Sequence, residues 1–533
     1  MHSDIHAVEL VFLLLLFFVI VFGALARKLR TPYPIVLVIG GLLLSFIPGI
    51  PRVSLNPEIV FFVILPPLLY AAAWTTSWRE FSHNLVSILL LAFGLVTFTV
   101  VGVSYACYWF LPGFDWRMGL VLGAVVAPTD AIAATSIASR IGLPKRIVHI
   151  LEGESLLNDA SALLALEFGI ALLMGEQKTG FVSGAGRFAF LTVVGMLVGL
   201  AVGELVHRVE HRIDDGPIEI ALSILTPYVA YLGAEALHAS GVLAVVVCGL
   251  YLGRKSSHFF SPSVRLQAWA VWESLAFILN GLVFVLIGLQ LPYILDAIRD
   301  HSRKELLLYG AVFSVFLIVL RMAWVYPGTY LAYFIRRHLL HQHEATPSNR
   351  KIFVVGWTGM RGVISLAAAI ALPQTLANGE PFTQRSVIVF LTFSVILVTL
   401  VLQGLTLPPL IRGLGLAGAP DPAENPEEIE ARRTMLEAAL AHLDEARGDG
   451  EPNEISDELA RHYRRRLGAL EQGKEQNRLP DIMRYVDLSR ELLQVERRTA
   501  VRLRNQRQIS DELLRELERE LDLSETQLLE KRA

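Results

Sequence analysis

Between residues 7 and 411 the chain is a succession of apolar runs. Many reach about twenty residues, the length of helix that crosses a bilayer. In lipid every backbone polar group must find a partner inside the protein, which leaves few structures able to span. Runs of this length read as transmembrane helices. Thirteen are expected, near 7–26, 33–50, 57–74, 85–111, 118–138, 146–174, 186–207, 217–237, 240–253, 267–291, 306–334, 352–373 and 384–411. The ninth is short, and twelve is the alternative count. A mean hydropathy of +0.50 agrees with a membrane protein rather than a soluble one. The first run is expected to stay as a helix, since no small-residue cleavage site follows it. Cys107 and Cys248 each lie inside an apolar run and form neither a disulfide framework nor a metal site.

The chain changes character near residue 417. Residues 1–416 carry 27 basic and 23 acidic side chains, whereas 417–533 carry 20 and 27. The overall charge of −3 therefore averages two different objects and says little about partners. With the N-terminus outside, the inner loops of the first part hold 16 Lys and Arg against 8 in the outer loops. That bias places the tail in the cytoplasm. Arg299, Arg303 and Lys304 are the main cluster that disagrees.

The tail, residues 417–533, follows the linker Ala417-Gly-Ala-Pro-Asp-Pro. Asn425-Pro426-Glu427-Glu428 is a helix start, with a capping Asn, Pro at the first position and acids in the first turn. Further helices are expected near 455–471, 480–508 and 511–530, with leucines at helical spacing such as Leu514, Leu517 and Leu521. The tail reads as a small helical bundle or a partner surface, open to an unidentified regulator.

A charged side chain at bilayer depth costs roughly 2.5–3.5 kcal/mol even on the mildest scale, so an acid there marks an ion or proton path. Residues 121–174 carry Asp130, Glu152, Glu154, Asn158 and Asp159 within two apolar spans. Pro128-Thr129-Asp130 falls in mid-span. Proline removes a backbone donor and clashes with the preceding turn, so the helix is expected to break or kink there. Broken backbone at membrane depth persists only where it is buried in protein or lines a cavity, and transporters bind ions at such places. The plain alternative is a proline kink with a snorkelling aspartate. In the next span Ser155 stands four residues before Asp159 and shares its helix face, and Glu152 lies on the same side. Glu154 is rotated roughly 140° away and is free to pair with something other than the ion. A buried carboxylate with few countercharges can hold a proton or a small cation, but hardly neither.

The twelfth span reads VVGWTGMRGVISLAAAIALP, and its glycines weaken the helix around Arg361. An arginine at that depth needs an acid, and Glu154 is the candidate partner; an anion-binding Arg361 is the alternative. The interruptions of the fifth and twelfth spans fall at corresponding places in the half-sets 1–6 and 8–13. Two repeats with a site at their interface have that pattern. Glu273, Asn280 and Arg321 are also polar at depth and are expected to pair structurally.

The stretches Leu65-Pro-Pro-Leu-Leu-Tyr70, Ala127-Pro-Thr-Asp130, Glu152-Gly-Glu-Ser-Leu-Leu-Asn-Asp159 and Gly359-Met-Arg-Gly362 carry a resemblance. Together they resemble the monovalent cation:proton antiporter family 1, the NhaP-type bacterial relatives of animal sodium/proton exchangers. The resemblance covers about residues 7–412. It implies antiport of sodium, in some members potassium or lithium, against protons across the bacterial inner membrane. It also implies a homodimer with a mobile six-helix core that moves like an elevator. By motif, Asp159 is similar to the ion- and proton-binding acid, and Asp130 to the acid that holds Asn158. Thr129 and Ser155 resemble the residues that supply ligand oxygens to the alkali cation, and Glu154 and Arg361 the core ion pair. Asn158 standing before Asp159 resembles the electroneutral branch. Several relatives carry an acid just after Leu-Pro-Pro, where this chain has Tyr70-Ala71-Ala72-Ala73.

The expectation is an all-α membrane protein of about thirteen helices in two inverted repeats with broken helices, followed by a helical cytoplasmic tail. It exchanges one alkali cation for one proton at Asp159. No cofactor or nucleic acid is called for. A cation channel is the competing transport class, but channels tend toward repeated pore segments from several subunits. No phosphate loop, His-Glu-x-x-His or triad spacing supports an enzyme.

Overall fold

The computed structural model of the protein describes residues 2–48, 55–111, 113–175, 181–213, 215–298, 302–342, 346–376, 379–418, 426–447, 454–471, 479–506, 508 and 511–530. It forms two compact units, Met1–Ala419 and Pro420–Ala533. Among the described residues every regular element is a helix, apart from one isolated bridge between Thr375 and Pro381.

The first unit begins with α1 (His2–Leu29), α2 (Tyr33–Leu44), α3 (Leu65–Thr75), α4 (Trp78–His83), α5 (Leu85–Leu89) and α6 (Val96–Phe110). Then come α7 (Trp116–Val126), α8 (Ala131–Ile141), α9 (Lys145–Leu173), α10 (Phe181–Glu210), α11 (Gly216–Ala236) and α12 (Gly241–Phe259). It closes with α13 (Pro262–Leu289), α14 (Leu291–Asp296), α15 (Arg303–Phe334), α16 (Asn349–Trp357), α17 (Val363–Ile370), α18 (Arg385–Val398) and α19 (Gly404–Gly413). Wide π turns at Ile59–Ile64, Leu90–Leu95, Ile335–Leu339 and Thr399–Gln403 extend or join some of these rods. Among the described residues nine helices are long and apolar enough to cross a membrane. α2 stops at Leu44, short of the expected 50, and residues 49–54 lie outside the described residues.

Local chemistry sets several helix starts. Asp115 accepts from the Met118 N–H at 2.8 Å and Asp215 from the Ile218 N–H at 3.2 Å, each satisfying an orphan donor of the first turn. Ser240 and Ser261 cap α12 and α13 in the same way. Without a hydrophobic drive between helices in lipid, close packing depends on small residues. Gly119 and Gly123, one turn apart on α7, show this. A Cβ on either would lie 2.8 Å from a backbone Cα of α6, that of Ser104 or of Val100.

Two apolar cores result. One gathers residues of α7, α8, α18 and their neighbours; the other gathers α3, α11 and α12. α9 contributes to both, with Leu151 and Leu166 in the first and Leu156 and Ala160 in the second. The helix that carries Asp159 therefore lies along the seam between them.

The second unit holds α20 (Pro426–Arg447), α21 (Glu454–Glu471), α22 (Leu479–Asn505) and α23 (Asp511–Glu530). Leu436, Ala460, Ala500 and Leu514 are its buried apolar side chains among the described residues. Arg490 and Arg497 on α22 reach Glu525 on α23 at 3.1 and 3.3 Å.

Candidate functional site

Two helices are interrupted inside the first unit. α7 gives way to α8 across residues 127–130, where Pro128 lies, and α16 gives way to α17 across 358–362. The interruptions touch: the Asp130 N–H donates to the Met360 carbonyl at 2.8 Å. Gly362 is what permits the approach. A Cβ there would lie 2.7 Å from the Asp130 Cβ and 2.8 Å from its Oδ2.

Breaking a helix strands carbonyls at one end and N–H groups at the other. Two buried arginines serve the carbonyl ends. Arg361 donates from Nε to the Val126 carbonyl that ends α7, at 2.9 Å, and from Nη1 to the Gly359 carbonyl. Arg321, from α15, donates to the Gly356 and Val355 carbonyls of α16 at 3.2 and 3.1 Å. Cations at helix C-termini also complement the macrodipole. At the opposite ends, the Asp130 side chain caps α8 through the Ile132 N–H at 2.8 Å and faces the start of α17 through Gly362. One carboxylate thus meets the positive ends of two half-helices.

The Glu154 pairing expected from the sequence is corrected here. Its partner is Arg321, not Arg361. Arg321 Nη1 and Nη2 donate to Glu154 Oε1 and Oε2 at 2.5 and 2.9 Å, a bidentate pair in which both side chains are 1% exposed. The reason is position. Arg361 sits within the break and is drawn to the carbonyls stranded there, whereas Arg321 stands on an intact helix opposite Glu154. Nothing in the sequence separates two mid-span arginines. In the structure Gly359 makes room for both, since a Cβ there would fall 2.6 Å from Arg321 Nε and 3.0 Å from Arg361 Nη1.

The role of Asp130 toward Asn158 is also revised. Asn158 donates to the Thr129 hydroxyl at 2.7 Å and to the Thr129 carbonyl at 3.4 Å. The Thr129 hydroxyl donates in turn to Glu154 Oε1 at 2.9 Å. The Asp130 carboxylate instead accepts from the Ile132 N–H. Glu154 does point away from Asp159, yet through Thr129 it fixes Asn158. The order is Arg321, Glu154, Thr129, Asn158, an ion pair prolonged by two hydrogen bonds. Ser155 Oγ accepts from the Ala131 N–H at 3.3 Å.

Asp159 stands apart. It is 6% exposed, and among the described residues its carboxylate has no hydrogen-bond partner. It lines a cavity of about 210 Å³ together with Thr129, Asp130 and Ser155. Beside it in sequence, Asn158 Oδ1 is buried and unpartnered. Glu152 lines the same cavity and lies 3.5 Å from His149 Nδ1. The opposite wall is mostly apolar, formed by α3 residues such as Leu69 and Ala72 and by Phe284 of α13. Ala73, in the stretch after Leu-Pro-Pro, is fully buried against Gly249. Two polar lining groups, Asn280 and Ser365, had no site role in the sequence reading.

Arg321 and Arg361 are two positive charges; Glu154, Asp130 and Asp159 are three negative ones. With all five ionised the crossing carries one net negative charge. Glu152, on the cavity wall beside His149, is a fourth acid outside this set.

A multi-pass helical membrane protein with two broken helices crossing beside an unpartnered buried carboxylate belongs to the class of ion-coupled transporters. The comparisons give the family. The transmembrane sodium/hydrogen exchanger profile matches residues 13–413. A sodium/proton exchanger of Mycobacterium bovis, described as uncharacterized, is 35% identical over 520 residues, 96% of this chain and 94% of its own. A sodium, potassium, lithium and rubidium/proton antiporter of Bacillus pumilus is 34% identical over 453 residues, 82% of this chain and 65% of its own. The sodium/proton antiporter ApNhaP of Aphanothece halophytica is 33% identical, covering 78% and 75%. In fold, the sodium proton antiporter MjNhaP1 from Methanocaldococcus jannaschii matches 77% of this chain and 99% of its own, with a TM-score of 0.60 at 18% identity. The chain belongs to the sodium/hydrogen exchanger family, in its NhaP-like branch. It is a monovalent cation/proton antiporter, not an enzyme.

Proposed function

We propose that the protein exchanges one alkali cation, sodium first among them, for one proton at Asp159, without net charge movement, by elevator-type alternating access. The observation that carries this reading is the contrast among the three acids. Glu154 is held by Arg321 and Thr129, and Asp130 by the Ile132 N–H, while Asp159 faces the cavity without a partner. A carboxylate left free in this way can take up a proton or a cation in alternation. Asn158, Ser155 and Thr129 supply oxygens to the cation: Asn158 Oδ1 is unused, and the Thr129 hydroxyl keeps one lone pair beyond its two hydrogen bonds.

The remaining parts of the reading are these. Residues 1–416 form the transport domain, with two inverted repeats that place the breaks at corresponding positions, and two copies pair in the bacterial plasma membrane. Residues 417–533 lie in the cytoplasm and bind a regulator. The test is cation-dependent proton movement in everted vesicles. Asp159→Asn should abolish it while protein yield stays near normal. Robust exchange by that variant would sink the proposal.

A further inference from the structure

Ser365 lies on α17, three residues after Gly362. Serines and threonines buried in helices ordinarily donate to a carbonyl one turn back. Ser314, Thr226, Thr392 and Thr399 do so here, each to the residue four before it, at 2.6 to 2.8 Å. For Ser365 that place is held by Arg361, whose backbone is inside the break. The Ser365 hydroxyl is buried, 1% exposed at the residue level, and has no hydrogen-bond partner. Buried polar groups are nearly always satisfied, so an orphan in a native site needs a reason.

The position supplies one. Ser365 lines the cavity that holds Asp159, Asp130 and Thr129. Gly362 touches Asp130, and residues three apart lie on one helix face. Ser365 therefore sits in the first turn of α17, just after the N-cap residue that meets Asp130. A second orphan oxygen, Asn158 Oδ1, belongs to the same crossing but to α9. Each oxygen has an open lone pair, and neither has a protein donor to fill it. An unfilled acceptor on the wall of a cavity that also holds two carboxylates suits a small, hard monovalent cation, which binds through oxygen.

We propose that Ser365 is a cation ligand contributed by the second broken helix, so that the transported ion bridges α9 and α17. This rests on the exchange reading above and extends it, since it places part of ion selectivity on a neutral oxygen remote in sequence from the acidic motif. A hydroxyl sharing one cavity with the carboxylates limits the size of the ion that can touch both.

The experiment measures half-saturating sodium, potassium and lithium concentrations for exchange in vesicles. Ser365→Ala should raise the half-saturating sodium concentration roughly fivefold or more, the scale of losing one contact to a charged group. Maximal rate should stay within about twofold, and the order among the three cations should change. Ser365→Thr, which keeps the hydroxyl, should stay near wild type. If Ser365→Ala is poorly produced, sodium-dependent thermal stabilisation of the purified full chain replaces the rate. The stabilisation should then need higher sodium in Ser365→Gly and not in Ser365→Thr. Unchanged half-saturation and unchanged cation order in Ser365→Ala would overturn the proposal. Asp159→Asn separates the two readings. Loss of exchange there with a neutral Ser365→Ala removes only the Ser365 ligand, whereas retained exchange removes the exchange reading itself.

Discussion

Glu154 can be coupled energetically to Arg321 or to Arg361, and a double-mutant cycle separates the two. Breaking a buried ion pair by removing one partner costs about 3–5 kcal/mol, because the other charge is left in a low-dielectric interior. Glu154→Gln falls at the lower end, about 3 kcal/mol. The amide oxygen can still accept one bond, and Arg321 keeps the Val355 and Gly356 carbonyls. Arg321→Met falls at the upper end, about 5 kcal/mol, since it strands the carboxylate and uncaps α16 as well. Removing both partners relieves the unpaired charge, so the double variant should be more stable than the sum of the singles by about 2–3 kcal/mol. The same cycle between Glu154→Gln and Arg361→Met should show smaller coupling, because those two charges interact through space without a direct hydrogen bond. Steric-trap unfolding of the full chain in bicelles reads these free energies. Larger coupling of Glu154 to Arg361 than to Arg321, or near-normal stability of Glu154→Gln, would refute the assignment.

Two further predictions concern the crossing. Thr129→Val removes the hydroxyl that links Glu154 to Asn158 and leaves the Asn158 amide only a 3.4 Å contact with the Thr129 carbonyl. It should cost about 1–3 kcal/mol. Cation affinity in vesicle exchange should fall, with Thr129→Ser retaining most of it. Gly362→Ala places a methyl group 2.7 Å from the Asp130 Cβ, so the broken helices must separate. Overpacking of that kind costs about 1–3 kcal/mol. Exchange assays should show Gly362→Ala impaired, whereas Gly413→Ala, with no atom near its Cβ position, should be neutral.

The acidic motif was legible because burial in lipid makes polar residues conspicuous and helix periodicity sorts them. Ser155 and Asp159 share a face by spacing alone, and Pro128 announces a break. The partners of those residues were not legible. Arg321 and Arg361 look alike in sequence, and only the place where α15 packs, with the location of the stranded carbonyls, assigns one to Glu154 and the other to α7. Thr129 was a candidate ligand from its motif, but its bridge between Glu154 and Asn158 needs α9 to lie against the break. Ser365 carried no signal, since a serine in an apolar helix normally bonds its own backbone. Only the interruption at 358–362 deprives it of that partner.

By itself, then, the sequence determined that this is a helical membrane protein with acids at depth, two breaks and a polar tail. Those properties follow from chain length, apolar composition and backbone sterics, which act locally. Tertiary structure alone decided which charges pair, which carboxylate stays free and which oxygens face the cavity. Those outcomes depend on contacts between residues more than a hundred positions apart, such as Glu154 with Arg321 and Asp130 with Met360. Helix periodicity says nothing about such contacts; glycine-permitted close approach and electrostatics settle them.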